Sequence, residues 1–137
     1  YKLDHEIPYD TLLFSDAKST LDVLKAEGYK LGLASSTIKI EIIRAMKLTG
    51  LLPYFEVVLS GDDFEESKPN PEIYQVAMTR LNVAPEETLV IEDSEKGIAA
   101  GVDSGATVWG IKDNVFGLNQ TRAAKLFDNL TQIVKQL

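Results

Sequence analysis

The sequence contains no cysteine among its 137 residues. Disulfides, thiolate zinc sites and cysteine nucleophiles are therefore excluded together, and the composition favours a cytoplasmic protein, which is the location we predict. Histidine is nearly absent as well, because His5 is the only one and lies in a stretch without a hydrophobic period. A Ser-His-Asp triad would have to use His5, and nothing around it favours that arrangement.

Long hydrophobic runs and an excess of positive charge are also missing. No apolar run approaches the ~20 residues of a membrane span, and the start does not resemble a signal peptide, so we predict no membrane association. The chain has 14 Lys and Arg against 21 Asp and Glu, a net charge of −7. Nucleic-acid binders need clustered basic residues to neutralise phosphates, so no nucleic-acid partner is expected.

Hydrophobic periods alternate between helix-like and strand-like along most of the chain. Helices are predicted over 16–27, 38–49, 71–81, 95–104, 121–125 and 130–136, and strands over 30–34, 56–59, 88–91 and 107–111. The strands are largely apolar, which is typical of strands buried on both faces. We therefore predict an α/β domain over 14–137, with a Rossmann-like parallel sheet and helices on both faces. Residues 1–13 show no clean period and are predicted to be a linker.

Polar residues follow the predicted strands, at the edge where open parallel α/β sheets bind their ligands. Ser35 and Ser36 come after the first strand, Glu92 and Asp93 end the third, and Lys68 lies in a loop at the same edge. Hydroxyls, a lysine and paired carboxylates are the groups that a metal-assisted phosphate site requires. The sequence therefore indicates such a site at this edge.

Each of these groups also has an ordinary structural explanation. A hydroxyl can simply cap the next helix, a lysine is usually a solvated surface charge, and carboxylates favour a helix N-terminus. Lys68 is nevertheless the local cation that a phosphate would need in an acidic chain. Glu92 and Asp93 repel each other unless a cation or solvent intervenes, and their hard oxygens suit Mg²⁺. Asp62 and Asp63, among further acidic residues, are interpreted as a solvated loop.

Four runs of residues resemble the motifs of a known family. The runs at 33–37, at 68–74, and at 90–94 with 97–101 are similar to motifs two, three and four of the haloacid dehalogenase-like phosphohydrolases. The similarity is greatest to the β-phosphoglucomutase-like branch, which includes sugar-phosphate phosphatases. Because three motifs occur in order with suitable spacing, the resemblance is specific, and it covers about residues 14–137.

The resemblance implies a role for each matching position. Ser35 would hydrogen-bond the transferring phosphoryl group, and the Ser36 backbone N–H would assist it. Lys68 would pair with the phosphoryl oxygens and with the nucleophile. Asp93 would bind Mg²⁺ directly, and Glu92 would bind it directly or through water. The implied substrate is a small phosphorylated metabolite, with a sugar phosphate as the first expectation; hydrolysis and isomerisation both remain open.

One departure from the family pattern is serious. Members of the family carry an Asp-x-Asp motif whose first Asp is the nucleophile that forms an aspartyl-phosphate, and this chain contains no Asp-x-Asp. By the family pattern, residues 1–13 would be the remnant of a cap domain, and 14–137 would be a core lacking its first central strand. The 137 residues are then expected to be inactive alone, with exposed strand edges that promote association.

Two other interpretations stay open. A degenerate, non-catalytic member of the family would bind a phosphorylated ligand or a protein partner. A receiver-type signalling domain has a similar size and an acidic Mg²⁺ pocket, but its acidic pair follows the first strand, whereas Glu92 and Asp93 come late in this chain. The oligomeric state is not predicted.

Overall fold

The elements of the fold are taken from a computed structural model, which describes residues 14–113 and 117–137. The predicted linker at 1–13, with His5, lies outside these ranges. The helices are α1 (Phe14–Ala26), α2 (Lys39–Thr49), α3 (Glu72–Leu81), α4 (Glu95–Asp103) and α5 (Leu130–Gln136), and the strands are β1 (Gly32–Ser35), β2 (Val57–Ser60), β3 (Leu89–Glu92), β4 (Thr107–Ile111) and β5 (Lys125–Phe127). Short 3₁₀ turns cover Leu52–Tyr54, Gly61–Asp63 and Pro85–Glu87.

Every strand pairing among the residues that the structure describes is parallel, as predicted. β1 pairs with β2, and β3 pairs with β4, which in turn pairs with β5. Within the described ranges, no backbone hydrogen bonds join β1 to β3, so the strands form one group of two and one group of three. A cavity of about 360 Å³ lies beside the starts of β1 and β3, lined in part by Leu31, Leu89 and Ile91.

Helices cover both faces of the strands. Leu33 and Ile91 belong to one buried cluster, which includes side chains of α1, α2 and α5. Their neighbours Ala34 and Val90 belong to a second buried cluster, with side chains of α3 and α4. Because successive strand residues point to opposite faces, these two clusters are the two sides of an α/β sandwich. The predicted fold class is confirmed.

The predicted ends of the helices follow from local chemistry. α2 ends at Gly50, which has a φ of 71°, and the Leu51 N–H donates to the Met46 carbonyl at 2.9 Å. A residue with a side chain is strained in this left-handed conformation, whereas glycine adopts it readily. Before α3, the Asn70 side chain accepts a hydrogen bond from the Glu72 N–H at 2.9 Å.

Two details of the prediction are wrong. No helix covers 121–125; the chain instead turns and forms β5, which lies beside β4. The Phe127 ring packs against Trp109 with 5.2 Å between the centroids, so the extended conformation depends on a partner strand rather than on local pattern. The helical spacing also predicts that Ile38 faces inward together with Ile42 and Met46, but Ile38 is 51% exposed while Ile42 and Met46 are buried.

Candidate active site

Lys68 connects the carboxyl ends of β1 and β3. Its ammonium donates to the carbonyl of Ala34, at 3.3 Å, and to Glu92 Oε2, at 3.0 Å. The Lys68 side chain is only 3% exposed and that of Glu92 is 0% exposed. A buried charge is tolerated only when it is paired and hydrogen-bonded. Lys68 is therefore a structural part of this edge, and the interpretation of it as a solvated surface charge is wrong.

The Glu92 carboxylate is surrounded by donors from the protein itself. Oε2 accepts hydrogen bonds from Lys68 and from the Tyr74 hydroxyl, the latter at 2.7 Å. Oε1 faces the Asp93 N–H at 3.1 Å, the Ser94 N–H at 3.4 Å and the Ser94 hydroxyl at 3.3 Å. These bonds compensate for burial of the charge, and they engage both oxygens of the carboxylate.

Gly97 lets α4 approach this carboxylate. A Cβ at Gly97 would lie 2.0 Å from Glu92 Cδ and Oε2, a distance that real Cβ atoms do not show. The Ser94 side chain caps α4 by accepting a hydrogen bond from the Gly97 N–H at 3.0 Å. The i, i+4, i+8 spacing of Gly97, Gly101 and Gly105 in the sequence indicates only a small-residue helix face; the structure adds that Gly97 lies against a buried charge.

Tyr74 is a second residue whose contribution the sequence did not predict. It lies on the first turn of α3 and is 2% exposed. Besides its hydrogen bond to Glu92, its ring centroid lies 5.1 Å from the Lys68 ammonium. A ring face at this distance attracts a cation, and more strongly where water is excluded. Tyr74 therefore contacts both members of the buried ion pair.

Asp93 leaves one oxygen without a partner. In the described part of the chain, Asp93 Oδ1 is buried and makes no hydrogen bond. Burying an unsatisfied carboxylate oxygen costs free energy unless a cation or another donor is supplied. This atom therefore fits a hard divalent ion. The described residues contain no group of three or more acidic or histidine side chains that could hold a metal, so further ligands would have to come from elsewhere.

Ser35 and Ser36 lie at the same edge of the fold. Ser35 follows Ala34, whose carbonyl contacts Lys68, and its buried hydroxyl oxygen accepts a hydrogen bond from the Thr37 N–H at 3.1 Å. Ser36 is exposed. Neither hydroxyl caps α2, because the N-cap is Ile38, which provides no side-chain bond.

Asp62 performs the capping that the sequence suggested for the hydroxyls. Its carboxylate oxygens lie 3.2 and 3.3 Å from the Lys39 N–H, the first of α2. Its neighbour Asp63 accepts from the Ser60 N–H at 2.8 Å and pairs with the Lys39 ammonium at 2.9 Å. The interpretation of these carboxylates as merely solvated is therefore incomplete, because they tie β2 to α2.

The pKa of Asp63 reflects these contacts. Partial desolvation acts to raise the pKa, but the Ser60 N–H and the Lys39 ammonium outweigh it, so the pKa falls below the ordinary value of 3.8. Both side chains of the pair are more than a third exposed, so solvent screens the interaction.

Comparison with known proteins places the chain in a family. The haloacid dehalogenase-like hydrolase pattern matches residues 2–111, so the chain belongs to that family. This membership excludes the receiver-type alternative.

No helix in the described ranges is long and apolar enough to cross a membrane.

The chain is similar to curated hydrolases. It is 37% identical over 108 residues to "Pyrophosphatase PpaX" of Bacillus pumilus, covering 76% of this chain and 48% of that protein. It is 36% identical over 107 residues to "Phosphorylated carbohydrates phosphatase" of Thermotoga maritima, covering 77% and 48%. The chain thus spans about half the length of the curated relatives that it matches.

Solved structures of haloacid dehalogenase-like proteins are similar to this chain as well. A HAD phosphatase from Thermococcus onnurineus superposes with a TM-score of 0.80 at 32% identity, covering 90% of this chain and 57% of that one. A Thermotoga maritima protein assigned as a beta-phosphoglucomutase superposes with a TM-score of 0.77 at 32% identity, covering 88% and 58%. The family resemblance inferred from the motifs is confirmed.

Proposed function

We propose that the protein containing this chain is a Mg²⁺-dependent phosphoryl-transfer enzyme that acts on a small phosphorylated metabolite. The observation that carries the proposal is the buried Lys68 ammonium, which bonds to the Ala34 carbonyl and to the Glu92 carboxylate, while the next residue, Asp93, has a buried oxygen Oδ1 without a hydrogen bond among the described residues. Phosphoryl transfer depends mainly on positioning and on neutralising charge. In a chain of net charge −7, a fixed Lys68 ammonium and a cation held by the Asp93 carboxylate would provide both.

The proposed phosphate ligands are Lys68, Ser35 and Ser36. The ammonium would pair with a phosphoryl oxygen, the Ser35 hydroxyl would donate to another, and the Ser36 N–H would complete the set. The exposure of Ser36 supports this assignment, because a substrate entering from solvent can reach that end of β1.

For the metal, we propose Asp93 as the direct ligand in this chain. Mg²⁺ bound there would supply charge neutralisation for the phosphoryl oxygens. Glu92 is proposed to act through water and through Lys68, because its oxygens already accept hydrogen bonds from Lys68, Tyr74 and the backbone at 93 and 94.

The nucleophile is proposed to come from a strand seated between β1 and β3. Those two strands are not hydrogen-bonded to each other in the described ranges, and apolar side chains line the cavity beside their starts. An Asp at the carboxyl end of such a strand would lie at the same edge as Lys68 and Asp93. It would take up the phosphoryl group as an aspartyl-phosphate. Since the 137 residues contain no Asp-x-Asp, we expect them to be inactive alone.

A sugar phosphate is the proposed substrate class. One curated relative is named for phosphorylated carbohydrates. A structural neighbour at 26% identity, with a TM-score of 0.76, is a Rhodobacter sphaeroides CbbY variant in complex with xylulose-1,5-bisphosphate. The other curated relative is named a pyrophosphatase, so pyrophosphate belongs in the same assay.

The lack of Asp-x-Asp favours a second candidate, a non-catalytic member that binds a phosphorylated ligand. The two candidates differ in the sequence that precedes Tyr1 in the gene. An apolar strand ending in Asp-x-Asp supports the enzyme, whereas a strand lacking both Asp residues supports the binder.

The enzyme proposal is tested with the full-length gene product and a panel of phosphate esters that includes sugar phosphates and pyrophosphate. Asp93→Asn and Lys68→Met are each expected to lower kcat/KM by about two orders of magnitude or more. Matched controls are Asp103→Asn and Lys96→Met, at exposed positions of α4, which should leave turnover unchanged. Near-normal turnover in Asp93→Asn or Lys68→Met would remove that residue from the mechanism.

A further inference from the structure

Gln120 is a buried amide in the loop between β4 and β5, and neither the motifs nor the proposed function uses it. It is 9% exposed. Its side-chain nitrogen donates to the Asp93 carbonyl at 2.8 Å and to the Ile111 carbonyl at 2.7 Å. Its side-chain oxygen accepts from the Asp113 N–H at 3.0 Å. One side chain therefore ties the segment after β3 to the segment after β4.

Few side chains other than a primary amide can make all three of these hydrogen bonds. Both hydrogens of the amide nitrogen point to backbone carbonyls, and the amide oxygen accepts from a backbone N–H. A glutamate would face two carbonyl oxygens without a hydrogen, and a methionine would offer no donor. With glutamate, the Asp93 and Ile111 carbonyls would lose their donor, and with methionine the Asp113 N–H would also lose its strong acceptor.

In the described part of the chain, the buried Oδ1 of Asp93 makes no hydrogen bond that could orient the carboxylate. The backbone of Asp93 is held at both ends instead. Its N–H donates to Glu92 Oε1 at 3.1 Å, and its carbonyl accepts from Gln120. These two bonds fix the peptide groups on either side of the residue, and thereby the direction in which the carboxylate leaves the backbone.

We infer that Gln120 is a positioning residue for Asp93, and that it sets the affinity of this edge for a divalent cation. The inference rests on the proposed function, because it takes Asp93 to be the metal ligand. Groups that orient a metal ligand typically change metal affinity by about 10- to 100-fold when they are removed. A loss of that size, without an equal loss of phosphate-ester binding, is the expected signature.

The test uses the full-length gene product and MgCl₂ as the probe. Gln120→Met keeps the length of the side chain and removes its hydrogen-bonding groups. Gln120→Glu replaces the donor nitrogen by an acceptor oxygen. Asn119→Ala is the matched control, since Asn119 is an exposed residue of the same loop that bonds only to Thr121 among the contacts described. Calorimetry without substrate gives the Mg²⁺ Kd, and kinetics give KM and the Mg²⁺ concentration for half-maximal rate.

Both Gln120 variants are expected to raise the Mg²⁺ Kd and the half-maximal Mg²⁺ concentration by about 10-fold or more, with KM changed less. Asn119→Ala should change neither. An unchanged Mg²⁺ Kd in Gln120→Met overturns the inference and leaves the proposed function standing. Absence of Mg²⁺ binding in the unsubstituted protein instead overturns the proposed function, and the inference with it.

A measurement on the unsubstituted protein covers the case in which the variants do not fold. The two side-chain amide protons of Gln120 are expected to exchange slowly in NMR spectra, because both are hydrogen-bonded and buried. Their chemical shifts should move on addition of MgCl₂ with the same midpoint as the Kd. Rapid exchange, or no movement at saturating Mg²⁺, overturns the inference.

Discussion

Gly97→Ala tests the close approach of α4 to the buried ion pair. The added Cβ would lie 2.0 Å from the Glu92 carboxyl group. To reach an ordinary contact distance, the carboxyl would have to move by about 1.4 Å. The Lys68–Glu92 separation is 3.0 Å, so a movement of that size weakens the bond or breaks it. Overpacking typically costs about 1–3 kcal/mol, and an uncompensated buried charge about 3–5 kcal/mol.

The sign of this effect is diagnostic. Elsewhere in a helix, replacing glycine by alanine stabilises by about 1 kcal/mol. We expect Gly97→Ala to lower the free energy of unfolding by about 3 kcal/mol, because the clash outweighs the gain in helix propensity. The measurement is urea denaturation of the full-length gene product.

A double variant that lacks the ion pair shows whether the clash with Glu92 causes the loss of stability. When Lys68→Met and Glu92→Ala have already removed the pair and the clashing carboxyl, Gly97→Ala should become neutral or stabilising. Gly101→Ala is the matched control on the same helix, because its Cβ would meet the apolar Val108 Cγ2 at 2.6 Å. That variant should destabilise equally in both backgrounds. A stabilising Gly97→Ala in the unsubstituted background would refute the reasoning.

Three further predictions concern Lys68 and Tyr74, which contact Glu92, and the exposed carboxylate of Asp63. Lys68→Met should lower the free energy of unfolding, measured by urea denaturation, by about 3–5 kcal/mol, because it leaves a buried carboxylate without its partner. Adding Glu92→Gln should recover most of that loss without restoring turnover. Normal stability of the Lys68→Met variant would contradict this prediction. Tyr74→Phe should cost about 1.5–3 kcal/mol through loss of a hydrogen bond to a charged group, whereas Tyr29→Phe, at a residue 42% exposed, should fall within about 0.5 kcal/mol. Because the pKa of Asp63 is lowered by folding, its stabilisation is present above the ordinary pKa of 3.8 and is lost as the pH falls through the lowered value. Asp63→Asn should therefore flatten the stability profile in that acidic range by a small amount, and an unaltered profile would show that the contacts of Asp63 do not stabilise the fold.

The local sequence pattern was sufficient to predict most of the helices and strands of the fold. Apolar strands between amphipathic helices predicted a parallel sheet covered on both faces, and the positions of Gly50 and Asn70 marked the ends of their helices. These signals act within a few residues, so they can be read directly from the chain. β5 was missed because a strand of three residues has no period of its own and is extended only because β4 lies beside it.

The sequence alone determined which chemical groups reach the carboxyl edge of the sheet, because polar residues that directly follow apolar strands must lie there. Ser35, Glu92 and Asp93 were identifiable on that basis, and Lys68 was identifiable from its place in a loop at the same edge. Only the tertiary structure decided how they are partnered. Lys68 lies 34 positions from Ala34 and 24 from Glu92, and Gln120 lies 27 positions from Asp93. No local period encodes such distances, since they follow from how helices and strands pack around a buried charge.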